Sequence, residues 1–571
     1  MNPNVRARCS LWALSILLAA ACGRAPEPGA DRPVVGGRLV AAVLSEPATY
    51  NPLLATDEAS RAVADRLHAE LLTIDGGSGE VVAAAAERWQ VSSDGSEFTL
   101  HLRPGLRFSD GDDCTANDVL FTFEVVLDPA TGAPHRDQLI VDGSPPVVRA
   151  LDPHTVVVTL AGPYASAARL FDGLAVLPRH LLEPAYRDGR LAAEWGGGVD
   201  PGSVAGLGPF RLRDIVPGER IVLERNPYYW RTDADGRRLP LLDELVFAVV
   251  PSRDAEVLRL RAGDIDVADR IDPDSFLALT AQAADRLQLV DAGPELGFTF
   301  LFFNLNDSYA AASPAMAAAF RDDAFRRATS AAIHRDDLVQ LVYRGFATPL
   351  GTHVSSSYGA WAHPSIRPPR ASADEARRLL AEAGYGWDDE GRLLTPAGAP
   401  IELTLLTAAG STERTRIATI VQDDLSKVGI GCTPVELEFQ AFLDRLLTQR
   451  DYDACLLALG GGDADPNPML NVLRSDGSHH LWALERSATP RWQLEIDRLM
   501  TRQLTLLDGD ARRGAFFTVQ ELIAEHLPFV PLLSPHVLVG ADRRLGGFRP
   551  SLLDHHTLWN CDELHWKSAE R

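Results

Sequence analysis

The chain lacks the features that mark several whole classes of protein. After the first two dozen residues no run of 18 apolar residues occurs, so nothing later in the sequence reads as a membrane-spanning helix. Positive charge is scarce: 55 Lys and Arg stand against 78 Asp and Glu, a formal charge of −23. Basic residues cluster only in pairs such as Arg326–Arg327 and Arg543–Arg544. Phosphate recognition needs clustered Lys and Arg, which excludes a nucleic-acid binder. An acidic surface favours solubility and suits cationic or zwitterionic ligands.

Cysteine is also rare. Of six, Cys9 and Cys22 lie near the start, and Cys114, Cys432, Cys455 and Cys561 are scattered. No CxxC and no paired Cys/His spacing occurs, so a structural zinc site is not expected. Cys432 and Cys455 fall in neighbouring strand-like runs, which allows a disulfide between them. The chain has no G-x-S-x-G elbow, no H-E-x-x-H and no repeat with a period of 20–50 residues. Hydrolase, zinc-protease and solenoid readings therefore have no support.

What is present is an ordinary globular composition, 46% hydrophobic and 23% charged, at a length that suggests about three domains. Arg6 and Arg8 precede the apolar run Leu11–Ala21, too short to span a bilayer, and then Cys22–Gly23 and the Pro-rich GRAPEPGADRP. This looks like a bacterial lipoprotein signal in which Cys22 becomes the lipidated first residue, with 22–35 as its tether. The usual Leu three places before the cysteine is replaced by Ala19, so a plain secretory signal cleaved near Ala21 is the alternative. Removing the signal takes away two arginines and moves the charge from −23 to about −25.

Strand patterns appear at 37–44 (GRLVAAVL), 97–103 (EFTLHLR), 154–160 (HTVVVTL), 219–225 (ERIVLER) and 244–250 (ELVFAVV). Helices are expected over Ser60–Leu72, after the TAND cap at Thr115, and over 254–263, closed by Gly263. In the second half, Phe298–Asn304 reads as a buried strand and Ser372–Glu375 as a capping box. Strands at 401–408, 429–437 and 452–459 then alternate with helices, which predicts parallel sheets with crossover helices. Ligands of such sheets gather beyond the strands' C-terminal ends, where LALGGGDADPNPML (457–470) lies. Residues 186–205 read as a loop or linker.

That stretch imitates three other sites and fails as each. Asp463, Asp465 and Asn467 open like a calcium loop, but position six is Pro468 rather than Gly and position twelve is Arg474 rather than Glu. A phosphate cradle would need a Lys and a hydroxyl that are missing. The pairs His479–His480 and His555–His556 are expected on exposed loops, and Tyr228–Tyr229–Trp230 in ordinary packing.

An ordered series of segments resembles the oligopeptide/dipeptide-binding family (family 5) of extracytoplasmic solute-binding proteins of bacterial ABC transporters. It begins with SEPATYNPL (45–53) and AERWQVSSDGSEFTLHLRPGLRFSDGDDCTANDVLFTFE (86–124). GLGPFRLRDIVPGERIVLERNPYYW (206–230), LPLLDELVFAVVPSRDAEVLRLRAGDID (239–266) and FRRATSAAIHRDDLVQLVYRGFATP (325–349) follow. Together they cover most of residues 36–540.

The resemblance implies an α/β fold of two lobes closing like a flytrap, with an extra α/β domain in the first. Carried over here, the first lobe is 36–78, 200–292 and 528–571, the extra domain 79–199, and the ligand-closing lobe 293–527. It further implies a non-enzymatic monomer without cofactor or metal, delivering a peptide-like or other polar solute to membrane permease and ATPase subunits. A signalling role on the same fold is the alternative, as is a non-peptide solute such as an opine, an oligosaccharide or a metal complex. Candidate ligand contacts are Ser45, Glu46 and Pro47, which would pair with an added ligand strand although Pro47 has no N–H. Gly460, Gly461, Gly462, Asp463 and Asp465 form the facing jaw, and His480 and Trp482 could reach the same cleft as an aromatic wall. In peptide-binding relatives an aspartate four residues before a proline accepts the ligand's ammonium group. Four before Pro466 stands Gly462. Either Asp463, one place late, takes the role through the freedom of the glycine turn, or the anchor is missing and the ligand lacks a free amine.

Overall fold

A computed structural model describes residues 33–553 and 556–568. Cys22, its signal and His555 lie outside the described residues. Among the described residues no helix is long and apolar enough to cross a membrane.

The first lobe is built on a four-stranded sheet in the order Arg38–Val43, Glu244–Val249, Arg220–Arg225, Phe210–Val216. Only the first pair is parallel, Leu39 facing Leu245. The connection leaving Arg38–Val43 leads into the helix Glu58–Leu67, capped by the Asp57 side chain on the Ser60 N–H. Val63, Ala64 and Leu67 bury one face of it, and Arg66 stands on that same face.

The inserted segment folds as an antiparallel sheet, Ala86–Val91, Glu97–Leu102, Thr155–Thr159 and Val147–Asp152. The helix Ala116–Leu127 packs on it. Both halves of its capping box form, Thr115 and Asp118 each bonding the other's backbone. Phe98, Phe121 and Val156 of the insert share one continuous core with Leu39, Val63 and Phe210 of the first lobe. The insert is therefore fastened to that lobe by apolar burial rather than hung from it.

The second lobe carries the largest sheet, ordered Val530–Asp542, Phe298–Phe303, Ala454–Leu459, Glu402–Ala408, Gly431–Leu437. The parallel pairing expected from strand–helix alternation holds for Glu402–Ala408 with both its neighbours. It fails for Phe298–Phe303, which is antiparallel to the strands on either side. All six residues of that strand are buried, as a central strand requires. The helix Ala373–Glu382 begins where Ser372 accepts from the Glu375 N–H, and it buries Ala376 and Leu380. Cys432 and Cys455 sit on strands separated by Glu402–Ala408, with Cys432 facing Leu403 and Cys455 facing Leu406. All four described cysteines are free and buried, so the disulfide allowed by the sequence does not form.

The two lobes are joined through Val530–Asp542. Its first half pairs with Phe298–Phe303 and Ala347–Pro349, its second half with Leu287–Pro294 and Val267–Ala268. Leu533 belongs to the second-lobe core and Leu538 to a first-lobe cluster around Leu260 and Phe276. Strands that run from one core into another are natural places for a hinge, because only a few backbone dihedrals connect two bodies.

Candidate functional site

The loop after Ala454–Leu459 starts with a close approach. A Cβ on Gly461 would lie 2.6 Å from the Leu296 carbonyl oxygen, so only glycine fits there, whereas Gly460 faces open space. The carboxylates that follow meet arginines. Asp465 is buried and accepts both Arg512 Nη1 and Nη2 at 2.7 Å, a bidentate pair. The Arg512 guanidinium lies 4.9 Å over the Trp361 ring, and its Nε donates to Gln503. Asn467 Oδ1 accepts from Gln503 at 2.8 Å, and its amide donates to Tyr164 Oη at 2.9 Å and to Ser166.

Asp463 Oδ1 accepts from Arg169 Nη1 at 2.6 Å, while Arg169 Nη2 donates to the Gly79 carbonyl at 2.6 Å. Burial raises the Asp463 carboxyl above its ordinary value, against the lowering effect of Arg169. Tyr164, Ser166 and Arg169 all belong to the inserted segment, and the Ala165 N–H also donates to Leu504 O at 2.6 Å. The jaw named from sequence is thus bonded across the lobes to the insert. The oxygen expected for a ligand ammonium is occupied by a guanidinium.

Other sequence-named residues are placed differently. His480 and Trp482 do not wall the cleft. Both are buried, their rings 4.4 Å apart, and Trp482 packs on Phe529 at 4.9 Å and on Phe302. Burial pushes the His480 imidazole down to about 4, so it is a neutral core group bonded to the Val472 carbonyl. His556, expected on an exposed loop, is buried with Nδ1 2.8 Å from the Ser551 carbonyl. Glu46 accepts from the Gly218 N–H at 2.6 Å, which commits its carboxylate to a first-lobe hairpin turn. Pro47 is buried, and Ser45 is exposed at the rim of a cavity of about 230 Å³.

A cavity of about 690 Å³ opens where the helix Glu58–Leu67, the insert, Arg549, Leu553, residues 559–563 and Gly462 come together. Its polar wall includes Arg66, Glu70, Asp172, Trp230, Asn560 and Asp562. Several of these have atoms without a partner. Arg66 is 3% exposed, yet Nε and Nη2 make no hydrogen bond, and among the described residues its one ion-pair neighbour is Asp65 at 3.8 Å. Trp230 Nε1 and Asn560 Oδ1 are likewise buried and unbonded. An unpaired buried polar atom is costly, about 1–3 kcal/mol each, and one that borders a cavity can be satisfied by a ligand or by water. Desolvation pushes Glu70 up to about 8 and Asp172 up to about 6. By contrast Asp562 is raised by burial but takes Arg231 at 2.7 Å and the Tyr229 hydroxyl at 3.0 Å. Tyr229 packs against Trp230, Leu239 and Leu241 as expected, and both aromatics line the cavity as well.

Sequence reasoning missed Arg66, Glu70, Asp172 and Asn560. One signal was available: Arg66 stands three residues after Val63, on the apolar face of a short helix. The smaller cavity shares Arg66 and adds Arg253, which donates to Glu256 at 2.9 Å and to Asp269 at 3.1 Å. Among the described residues one set of metal-type donors converges, Asp110, Asp112 and His180. All three are exposed, and none lines either cavity.

A two-lobed α/β protein with a ligand-sized cavity at the meeting of its domains has the geometry of a small-molecule site. Residues 80–479 match the model of the bacterial extracellular solute-binding proteins, family 5, and the chain belongs to that family. It is 26% identical over 542 residues to a probable ABC transporter-binding protein of Deinococcus radiodurans, covering 90% of each chain. It is also 26% identical over 555 residues to the oligopeptide-binding protein AppA of Bacillus subtilis, covering 94% of each. Among solved structures, the ABC transporter substrate-binding protein CtaP of Listeria monocytogenes superposes with a TM-score of 0.76 at 21% identity, over 94% of this chain and 100% of that one. The flytrap fold with an extra domain, expected from the sequence, is thereby the fold of this protein.

Proposed function

We propose that this protein captures a peptide-like or other polar solute between its lobes and hands it to the permease of an ABC importer. The observation that carries this reading is the 690 Å³ cavity, walled by the first lobe, the insert and Gly462 of the second lobe, with buried polar atoms that lack protein partners. The names of the Bacillus and Deinococcus relatives support it. In this reading residues 293–527 close on the discontinuous first lobe, 36–78 with 200–292 and 528–571, and on its insert 79–199. Closure would be held by contacts that bridge jaw and insert, among them Arg169–Asp463 and the Asn467 bonds to Tyr164 and Ser166. Lipidated Cys22 would hold the protein at the membrane facing the permease. A Cys22→Ala variant should then leave the membrane fraction.

Native mass spectrometry of the purified protein tests the ligand class. A ladder of co-purified short peptides is the expected result, and one discrete non-peptide mass would sink the peptide part of the reading.

A further inference from the structure

Resting on the cleft reading above, we propose that the ligand's ammonium group is held by Glu70 of the first lobe, with Asp172 of the insert beside it, rather than by the glycine-rich jaw of the second lobe. Three observations lead there. The jaw has no free carboxylate to offer: Gly462 lines the cavity without a side chain, Asp463 is bonded to Arg169, and Asp465 is bonded twice to Arg512. Glu70 lines the same cavity, and among the described residues no arginine, lysine or histidine pairs with its carboxylate. Asn560, 2% exposed, lines the same cavity with an unbonded Oδ1, a second acceptor with no donor of its own.

The charges around Glu70 point the same way. Asp172 and Asp65 raise it electrostatically, and only Arg66 opposes them. Asp172 already spends one oxygen on the Ile74 N–H at 2.8 Å and on Thr73 at 3.1 Å. His135, on the insert wall, has its ring held below the ordinary value by burial and is neutral. Arg231 is taken by Asp562 and Glu563, and Arg549 by Glu563. With Arg61 included, the cavity is lined by four arginines against six carboxylates, so the wall holds more carboxylate than cation. A cationic ligand end is what balances it, while the unbonded Arg66 nitrogens remain to meet an anionic or carbonyl group of the same ligand.

With Glu70 at about 8 in the empty cleft, it is mostly protonated at pH 7. An ammonium ligand favours the carboxylate, so binding drives a proton off Glu70 into solvent, and affinity rises with pH, approaching about tenfold per unit below 8.

The test is calorimetric titration of the full protein and its Glu70→Gln and Asp172→Asn variants. The probes are tri-alanine, N-acetyl-tri-alanine and 1,3-diaminopropane, each run in two buffers of different ionisation enthalpy. The inference expects tri-alanine to bind with release of close to one proton, the acetylated form to bind at least tenfold more weakly, and Glu70→Gln to lose tenfold or more together with the proton release. Asp172→Asn should show a smaller loss. Tri-alanine binding that is unchanged in Glu70→Gln overturns the inference and leaves the peptide reading intact. Binding of the diamine alone, lost in Glu70→Gln, overturns the peptide reading and supports the anchor. Failure of both amines to bind overturns both.

Discussion

The polar side chains of the loop Asp463–Asn467 and those of Arg66 and Glu70 are all buried or half-buried, and they follow opposite rules. In the loop every carboxylate oxygen with a described contact meets a guanidinium or an N–H, and Asn467 alone bonds Gln503, Tyr164 and Ser166. Along the wall, Arg66 keeps two nitrogens unbonded, and among the described residues no cation forms an ion pair with Glu70. Satisfied networks rigidify a structure, whereas unsatisfied ones store a cost that something else must remove. In the reading proposed above, the loop serves as architecture between lobes, and the wall is where a ligand would supply the missing partners. Reading acidity alone would rank them the other way, since the loop carries the conspicuous motif.

The comparison can be broken at several points. The largest effect belongs to Arg512→Ala, which strands Asp465 as a buried charge and should lower unfolding stability by about 3–5 kcal/mol in a denaturant titration. A cost below about 1 kcal/mol would mean the pair is not buried in solution.

Glu70→Gln should do the reverse in the empty protein. The Glu70 carboxyl is raised when folded, so its contribution to stability is fully present below about pH 4.5 and is lost as pH rises to about 8. The glutamine variant should match wild type near pH 4.5 and exceed it by roughly 1–3 kcal/mol above pH 8. Equal stability across that window would show that Glu70 is solvated.

Arg169→Ala removes the bond from insert to jaw. Its partly buried pair with Asp463 is expected to contribute about 1–2 kcal/mol to the closed arrangement. Small-angle scattering of the ligand-free variant should report a larger radius of gyration, and an unchanged profile would remove the latch. The smallest effect is expected from Glu46→Ala, an exposed hairpin contact worth about 0–1 kcal/mol, with no change in ligand affinity.

Much of the scaffold was legible because local chemistry and tertiary packing agree. The Thr115–Asp118 box, the Gly263 stop with its left-handed backbone, and the wholly buried strand at Phe298 lie where the patterns put them, whereas of the Ser372–Glu375 box only the Ser372 half forms, Glu375 taking Arg378 instead. Strand direction in the second lobe was less legible. Antiparallel neighbours of Phe298–Phe303 arrive from residues more than 150 positions later, and no local pattern records their direction. The aromatic pair His480 and Trp482 looked like loop residues because SDGSHHLW is polar at its start, but Phe302 and Phe529 supply an apolar seat for the rings. The cleft was least legible of all. Arg66, Glu70, Asp172 and Asn560 span nearly 500 positions and share no motif, so only the fold assembles them.

The strand Val530–Asp542 also orders events in time. The ribosome delivers the chain from its N-terminal side, so residues 296–533 can bury their aromatic core before 538–563 arrive. Asn560 and Asp562, which close the cavity, come only with that later segment. A chain stalled near residue 535 would hold the second-lobe core and still lack the wall that Asn560 and Asp562 give the cavity.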